Sequence, residues 1–410
     1  MLKTAEERVP RLGDFSQVVG QQEIDSIRTL AEGLRGMSIT EVNSTSYGGG
    51  VAEILRSMVP LIRDAGLDVR WEVIEGSFEF FSVTKKIHNA LQGMNVELTD
   101  DERRIYLEYN KMNSERMQLD TDFVVVEDTQ PTPMIDFHRT RRGKWVWRCH
   151  VDLSTPSIAV WNFLDEYINR YDAAVFSSEK YVIPTLKLPK VSIIPPSINP
   201  LSDKNREIPE DLVLKILERH GVKQDKPIIT QVGRFDPWKD TTGAIDVYRM
   251  IKKEFPQVQL LLVASMANDD PEGWLYFEKT ARHAGDDGDI HILTDLIGVK
   301  DLEVNAFQRA SDVILQMSTR EGFGLTVSEG LWKGVPVVGR NVGGIPLQVI
   351  NGSTGFLVDT TSEAAEKTIY LLKNQEEAKK MGENGKEHVF RNFLITRLLR
   401  DHLRLLNGFT

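Results

Sequence analysis

The chain is predicted to be an α/β protein built from two Rossmann-like doubly wound domains facing across a cleft. Three observations predict this. Strand-like and helix-like segments alternate from end to end, the pattern of parallel sheets with helices on both faces. The 410 residues exceed the roughly 250–300 at which single hydrophobic cores stop growing. Near the middle, Pro195–Glu210 (PPSINPLSDKNREIPE) is rich in proline and polar residues, lacks apolar periodicity and reads as a linker.

In the first half, a helix is expected around Glu23–Glu32, then a strand Met37–Val42, a glycine-rich turn Ser44–Gly50, a helix Val51–Asp64 and a strand Asp68–Val73. That is one βαβ unit of ordinary size. Charged helices follow to about Gln118. Asp122–Glu127 (DFVVVE) and Trp145–Val151 (WVWRCHV) read as buried strands, Pro156–Arg170 as a helix, and Ala173–Ser177 and Val191–Ile194 as short strands. The second half restarts with the strand Pro227–Val232 and the helix Thr241–Phe255. The strands Gln259–Ala264, Ile290–Leu293, Asp312–Leu315, Pro336–Val338 and Phe356–Val358 follow, separated by helices. Glu376–Asn392 and Ile395–Leu406 are the last helices. The expected domains are residues 1–200, with residues 390–410 packing back on them, and residues 211–389. A hinge is expected near Pro195–Glu210, and ligands are expected at the carboxyl ends of both sheets.

Composition narrows the function. A hydrophobic share of 41% and a charged share of 27% are those of a soluble globular protein, and no apolar run approaches the roughly 20 residues that span a bilayer. The net charge of −10 argues against a broad nucleic-acid surface but leaves room for a few cations around one small anion. Cys149 is the only cysteine, so no intrachain disulfide can form. Its apolar surroundings read as core and not as a nucleophile's pocket. With the charged N-terminus MLKTAEERVPRLGDF, unlike a secretory leader, the lone thiol points to the cytoplasm.

The most informative stretch is Arg320–Gly330, REGFGLTVSEG, after the strand DVILQ. Glu321 and Glu329 would lie roughly 12 Å and roughly 80° apart on a continuous helix and could not share a face. Gly322 and Gly324 permit a tight loop instead. That loop puts Glu321 at the strand's carboxyl end and Glu329 about one turn inside the next helix. The amides near Gly324–Thr326 then offer a diphosphate site at the helix N-terminus. In Gly233–Lys239 (GRFDPWK), Arg234 and Lys239 bracket a second turn and could stabilise the charge of a leaving nucleoside diphosphate. Ser46–Val51 (SYGGGV) could bring backbone close to a phosphate or sugar, although an ordinary strand–helix turn explains it equally well and GxGxxG spacing is not met. His150, at a buried strand end, is either a core residue or a sugar contact, with Asp152 beside it for a hydroxyl. No metal-binding pattern or Walker A is present. The acidic pairs Asp269-Asp270 and Asp286-Asp287 read as solvated loop charges.

EGFGLTVSEG preceded by GRFDPWK resembles the retaining GT-B glycosyltransferases of the family 4 type with their E-x7-E motif. The glycine-rich turn, the strand-end histidine and NVGGIPLQVINGSTGFLV (Asn341–Val358) are similar too, so the likeness runs from Met37 to the end. It is strongest to the trehalose-forming branch. The resemblance implies a nucleoside-diphosphate glucose donor and a glucose acceptor, with α,α-trehalose made and reversibly cleaved. It implies that Arg234 and Lys239 hold the diphosphate, that Glu321, with Gly322, Phe323, Gly324 and Leu325, contacts the donor sugar, and that Glu329 binds the ribose. Leu296 would lie near the base, Gly49 and Gly50 near the diphosphate, His150 against the transferred sugar, and Tyr47 and Asp152 on the acceptor side. The first domain would then be the acceptor side and the second the nucleotide-sugar side. No protein nucleophile and no cofactor are implied, with Mg2+ as an accessory ion at most; the expected partners are sugars and, as an option, a second copy in a homodimer, with no nucleic acid and no membrane. The alternatives are another acceptor (sucrose-phosphate, glucan or lipid chemistry), a sugar-nucleotide epimerase, or a binding module without catalysis.

Overall fold

A computed structural model describes residues 10–265 and 272–410. Asp269-Asp270 therefore lie outside the described residues. The chain divides into two compact units, one reaching to Leu201 and taking back Leu394–Thr410, the other Ser202–Phe393.

The first unit holds six parallel strands: β1 (Ser38–Asn43), β2 (Asp68–Val73), β3 (Phe123–Glu127), β4 (Lys144–Cys149), β5 (Ala173–Phe176) and β6 (Val191–Ile193), in the order β2-β1-β3-β4-β5-β6. The order reverses between β1 and β3, which makes a crevice at their carboxyl ends. Period-two alternation decides the two faces of this sheet. Val42, Val124, Val126, Trp145, Trp147 and Cys149 turn toward a core that includes Phe80, Tyr106 and Trp161. The opposite face carries Glu41, Glu127 and Arg148, all buried, and His402 of the C-terminal helix Ile395–Asn407 is buried against Glu41. That helix is fixed to the first unit through polar contacts. Arg397 donates to the carbonyls of Pro195 and Pro196 at 2.7 and 3.0 Å, Arg400 pairs with Glu23 at 2.9 Å, and Asn407 donates to the Leu30 carbonyl at 2.9 Å. Thr99 and Glu102 close a reciprocal capping box at the helix Asp100–Arg116, the last helix before β3.

The second unit repeats the design with β7 (Ile228–Arg234), β8 (Gln259–Ser265), β9 (Ile290–Thr294), β10 (Val313–Gln316), β11 (Val337–Arg340) and β12 (Gly355–Val358). Their order is β12-β11-β10-β7-β8-β9, all parallel, so the switch point lies between β7 and β10. The apolar runs IITQV, LLLVA and VILQ supply buried strands because helices cover both faces of such a sheet.

The division between the units, after Leu201, falls inside the stretch read as linker. A helix that the sequence reading did not place, Glu210–Arg219, begins at the end of that stretch, with Val213, Ile216 and Leu217 buried in one cluster with Phe307 and Val222. One reading needs correction. Asp287 is more than a solvated loop charge. Its carboxylate accepts from Lys252 at 2.8 Å and from the Tyr248 hydroxyl at 3.1 Å, and Lys252 also reaches Asp289 at 3.1 Å. Burial opposes ionisation of Asp287, yet these bonds outweigh it and hold its pKa below the usual carboxylate range.

Among the described residues no helix is long and apolar enough to cross a membrane. Cys149 is a free, buried thiol whose pKa burial pushes up, so it is unreactive core.

Candidate active site

At the switch point of the second unit, β7 ends in Arg234 and β10 runs into the loop carrying Glu321. Asp236 shapes the first loop, its Oδ1 accepting from the backbone N–H groups of Trp238 (2.8 Å) and Lys239 (3.1 Å). The loop docks on its neighbour because Thr319 N–H donates to the Trp238 carbonyl at 2.7 Å. Gln231 joins the strands beneath, its Nε2 donating to the Lys239 carbonyl at 2.9 Å and its Oε1 accepting from Met317 N–H at 3.0 Å.

This scaffold brings Lys239 and Glu321 together: Lys239 Nζ donates to Glu321 Oε2 at 2.5 Å. The same oxygen accepts from Gln316 Nε2 at 3.0 Å and Ser318 Oγ at 3.1 Å. A carboxylate oxygen with three donors has a fixed orientation, which is what a sugar-hydroxyl acceptor needs. Arg234 stands at the same strand end, its Nη2 3.9 Å from Asp236 Oδ2.

The turn between Glu321 and the helix Leu325–Trp332 depends on glycine twice. Gly324 takes φ +84°, and a Cβ there would lie 3.0 Å from Glu321 Cγ. Gly344, in the NVGGIP stretch, donates its N–H to the Glu321 carbonyl at 2.9 Å. A Cβ on Gly344 would come within 2.6 Å of Phe323 Cα and 2.7 Å of the Gly322 carbonyl oxygen. Gly344→Ala is therefore expected to displace the Glu321 loop, costing about 1–3 kcal/mol of stability and most of the activity. A thermal melt and an initial-rate assay check this; wild-type values in both would refute the packing argument.

Glu329 sits one turn into the helix, apart from this cluster. It is fully buried, with Lys204 Nζ 2.9 Å from Oε1 and Gln308 Nε2 donating to Oε2 at 3.3 Å. Leu296 is 55% exposed in the turn Asp295–Ile297 after β9. Gly322 and Phe323 lie in the turn itself, and Leu325 opens the helix, whose N-terminus has no side-chain cap.

In the first unit, Gly49 precedes and Gly50 begins the helix Gly50–Asp64, after β1. Tyr47 is 64% exposed in the same turn, with Arg56 over its ring. His150 follows β4 directly. Its ring engages Glu127 at the end of β3, with His150 Nε2 2.5 Å from Glu127 Oε2. Asp128, a non-glycine residue at φ +67°, accepts the His150 backbone N–H at 3.2 Å. Asp152 is buried, its Oδ1 accepting from Ser154 N–H at 3.0 Å.

Sequence reasoning missed Glu127 and Asp128. The available signal was a carboxylate ending the apolar run FVVVE at the switch point of the sheet. Burial opposes ionisation of Glu127, but the hydrogen bond and charge of His150 and the charge of Arg148 hold its pKa below the ordinary value.

Two parallel doubly wound units of this strand order, the second with its cationic and carboxylate cluster at the switch point, are the architecture of a GT-B glycosyltransferase. A structure of an E. coli protein described as “Trehalose-6-phosphate from E. coli bound with UDP-2-fluoro glucose” shares the fold, with a TM-score of 0.70 at 15% identity over 90% of this chain and 99% of that one. Residues 214–388 match the family “Glycosyl transferases group 1” and residues 41–183 match “Trehalose synthase, N-terminal domain”. The chain is 55% identical to a trehalose synthase of Thermococcus litoralis over 97% of both chains, and 48% identical to one of Rubrobacter xylanophilus over 96% of both. It belongs to the trehalose synthase family.

Proposed function

We propose that this chain is a retaining hexosyltransferase that forms, and reversibly cleaves, α,α-trehalose from a nucleoside-diphosphate glucose and free glucose. The observation that carries the reading is the Lys239–Glu321 pair at the β7/β10 switch point, a cation and a fixed carboxylate side by side. A nucleotide sugar needs both: positive charge for the diphosphate and an acceptor for glucosyl hydroxyls. The trehalose synthase relatives support the product, and the sugar-nucleotide-bound neighbour supports the donor class.

As the bond between C1 and the diphosphate oxygen breaks, negative charge grows on the leaving phosphate. Arg234 and Lys239 stabilise it there more than in the bound ground state. Glu321 holds the glucosyl ring through its hydroxyls. The acceptor hydroxyl bonds to C1 on the face the phosphate leaves and passes its proton to a phosphate oxygen, so configuration is retained without a protein nucleophile. Glu321 and Glu329 are thus no glycosidase-like acid and nucleophile. Their side chains have separate partners, Lys239 and Lys204. Glu329 meets the ribose in this reading only by exchanging its contact with Lys204. His150, Tyr47 and Asp152 serve the transferred sugar and acceptor, and Leu296 the base. The two cations supply the charge that Mg2+ would otherwise bring, leaving the ion an accessory.

Proton NMR of the protein mixed with UDP-glucose or ADP-glucose and free glucose tests this. One symmetric α,α-linked disaccharide with stoichiometric nucleotide release is expected. Nucleotide release without disaccharide would overturn the acceptor, and no turnover with either donor would overturn the donor.

A further inference from the structure

The polar face of the first unit's sheet holds a buried charge cluster that the proposed reaction leaves unused. Glu41 on β1 and Glu127 on β3 point to the same face, since Glu41 pairs in register with Val125 and Glu127 lies two residues on. Arg148 is in register with Glu127 on β4. His402, from the C-terminal helix, lies with Nε2 3.3 Å from Glu41 Oε1. Glu41 and Glu127 are 0% and 2% exposed, and Arg148 and His402 are nearly as covered.

Two carboxylates and one arginine in such a place cannot all carry charge without a partner, and the surroundings decide which carboxyl holds a proton. Burial first, and the charge of Glu127 second, raise Glu41 well above the ordinary carboxyl range. Burial first, and the charge of Arg148 second, lower His402 to about 3, so its ring is neutral at pH 7. Glu127 stays ionised, as its depressed value requires, and Arg148 balances it. The charge is therefore concentrated on the one carboxylate whose Oε2 meets His150, 2.5 Å from Nε2.

We infer that Glu127 is a positioning residue for His150: it accepts a hydrogen bond from Nε2–H, fixes the ring, and leaves Nδ1 as the nitrogen that meets a sugar hydroxyl. An ionised carboxylate only accepts hydrogen bonds, so a contact this short requires the proton on Nε2. The His150 backbone is held independently by Asp128, so Glu127 controls the ring and not the main chain. Glu41, whose burial favours the protonated form, lies behind Glu127 on the same face of the sheet. Because Glu41 also meets His402, the C-terminal helix closes the back of this arrangement. The inference rests on the reading that His150 serves the transferred sugar, but its first readout does not.

That readout is the nitrogen-15 NMR of the histidine side chains at pH 7, with the His150 signals assigned by their loss in His150→Asn. Wild type is expected to show a protonated Nε2. Glu127→Gln, whose amide can donate or accept, is expected to shift the His150 ring nitrogens while the other histidines stay in place. It is also expected to lower kcat about 10–100-fold with the donor KM within about threefold. A wild-type His150 with Nε2 unprotonated overturns the inference whether or not the variant folds. So does a Glu127→Gln protein whose His150 signals and kcat match wild type. A fully active His150→Asn enzyme sinks the role of His150 in the reaction, while the nitrogen shifts still decide whether Glu127 holds the ring.

Discussion

Glu321→Ala is expected to lower kcat by about 10²–10³-fold, the loss seen when one oriented polar contact to a transition state is removed. Lys239, Gln316 and Ser318 all donate to Oε2, so little reorganisation is left for the reaction. Removing the side chain takes away the acceptor for the glucosyl hydroxyls and leaves three donors without their shared partner. The side-chain pair is only 17% and 10% exposed, so stability falls as well, by about 1–3 kcal/mol. Glu321→Gln separates these effects. Its amide fills the same volume and offers an oxygen to two of the donors, but carries no charge opposite Lys239. It should melt closer to wild type and still turn over far more slowly. Steady-state rates with a circular-dichroism melt check both variants; a Glu321→Gln enzyme of wild-type kcat would remove Glu321 from the mechanism.

Both sheets could be read from the chain because most strands are apolar runs or alternate in period two and most helices carry an apolar stripe, and those patterns are local. The Glu321 turn was legible for the same reason: glycines at 322 and 324 demand a loop whatever surrounds them. The helix Glu210–Arg219 was hidden by its neighbours. Its stripe Val213, Ile216 and Leu217 is correctly spaced, but it is short and begins at Glu210, directly after Pro209, at the end of the stretch that reads as linker. The partners of the site were the least legible part. Glu127 belongs to a run that alternation marks simply as buried, and only the sheet order sets it beside His150. Lys204 meets Glu329, and Asp287 meets Lys252, across loops whose path no local pattern specifies. Ion pairs distant in sequence carry no periodicity, so charge-bearing residues can be nominated from the chain while their pairings need the fold.

Lys239→Ala is the complementary experiment, expected to act on binding where Glu321→Ala acts on turnover. In the free protein Lys239 Nζ is on Glu321, and a bound diphosphate presents more negative charge than that carboxylate does. Loss of a charge-assisted contact worth about 1.5–3 kcal/mol weakens nucleoside-diphosphate binding by about 10–150-fold. Arg234→Ala should weaken it in the same direction, since Arg234 ends β7, the strand that leads into the Lys239 loop. Lys239→Arg should recover only part of the loss, because a planar fork does not reproduce a point charge within 2.5 Å of a carboxylate already held by Gln316 and Ser318. The cycle with Glu321 is the sharper test. Residues in contact do not contribute independently, so the double variant should lose less than the sum of the two single losses. Isothermal titration with UDP and ADP measures each Kd. Unchanged affinity in both Lys239→Ala and Arg234→Ala would move the diphosphate away from the β7/β10 switch point, whereas strict additivity with Glu321→Ala would mean that the pair does not act as one unit.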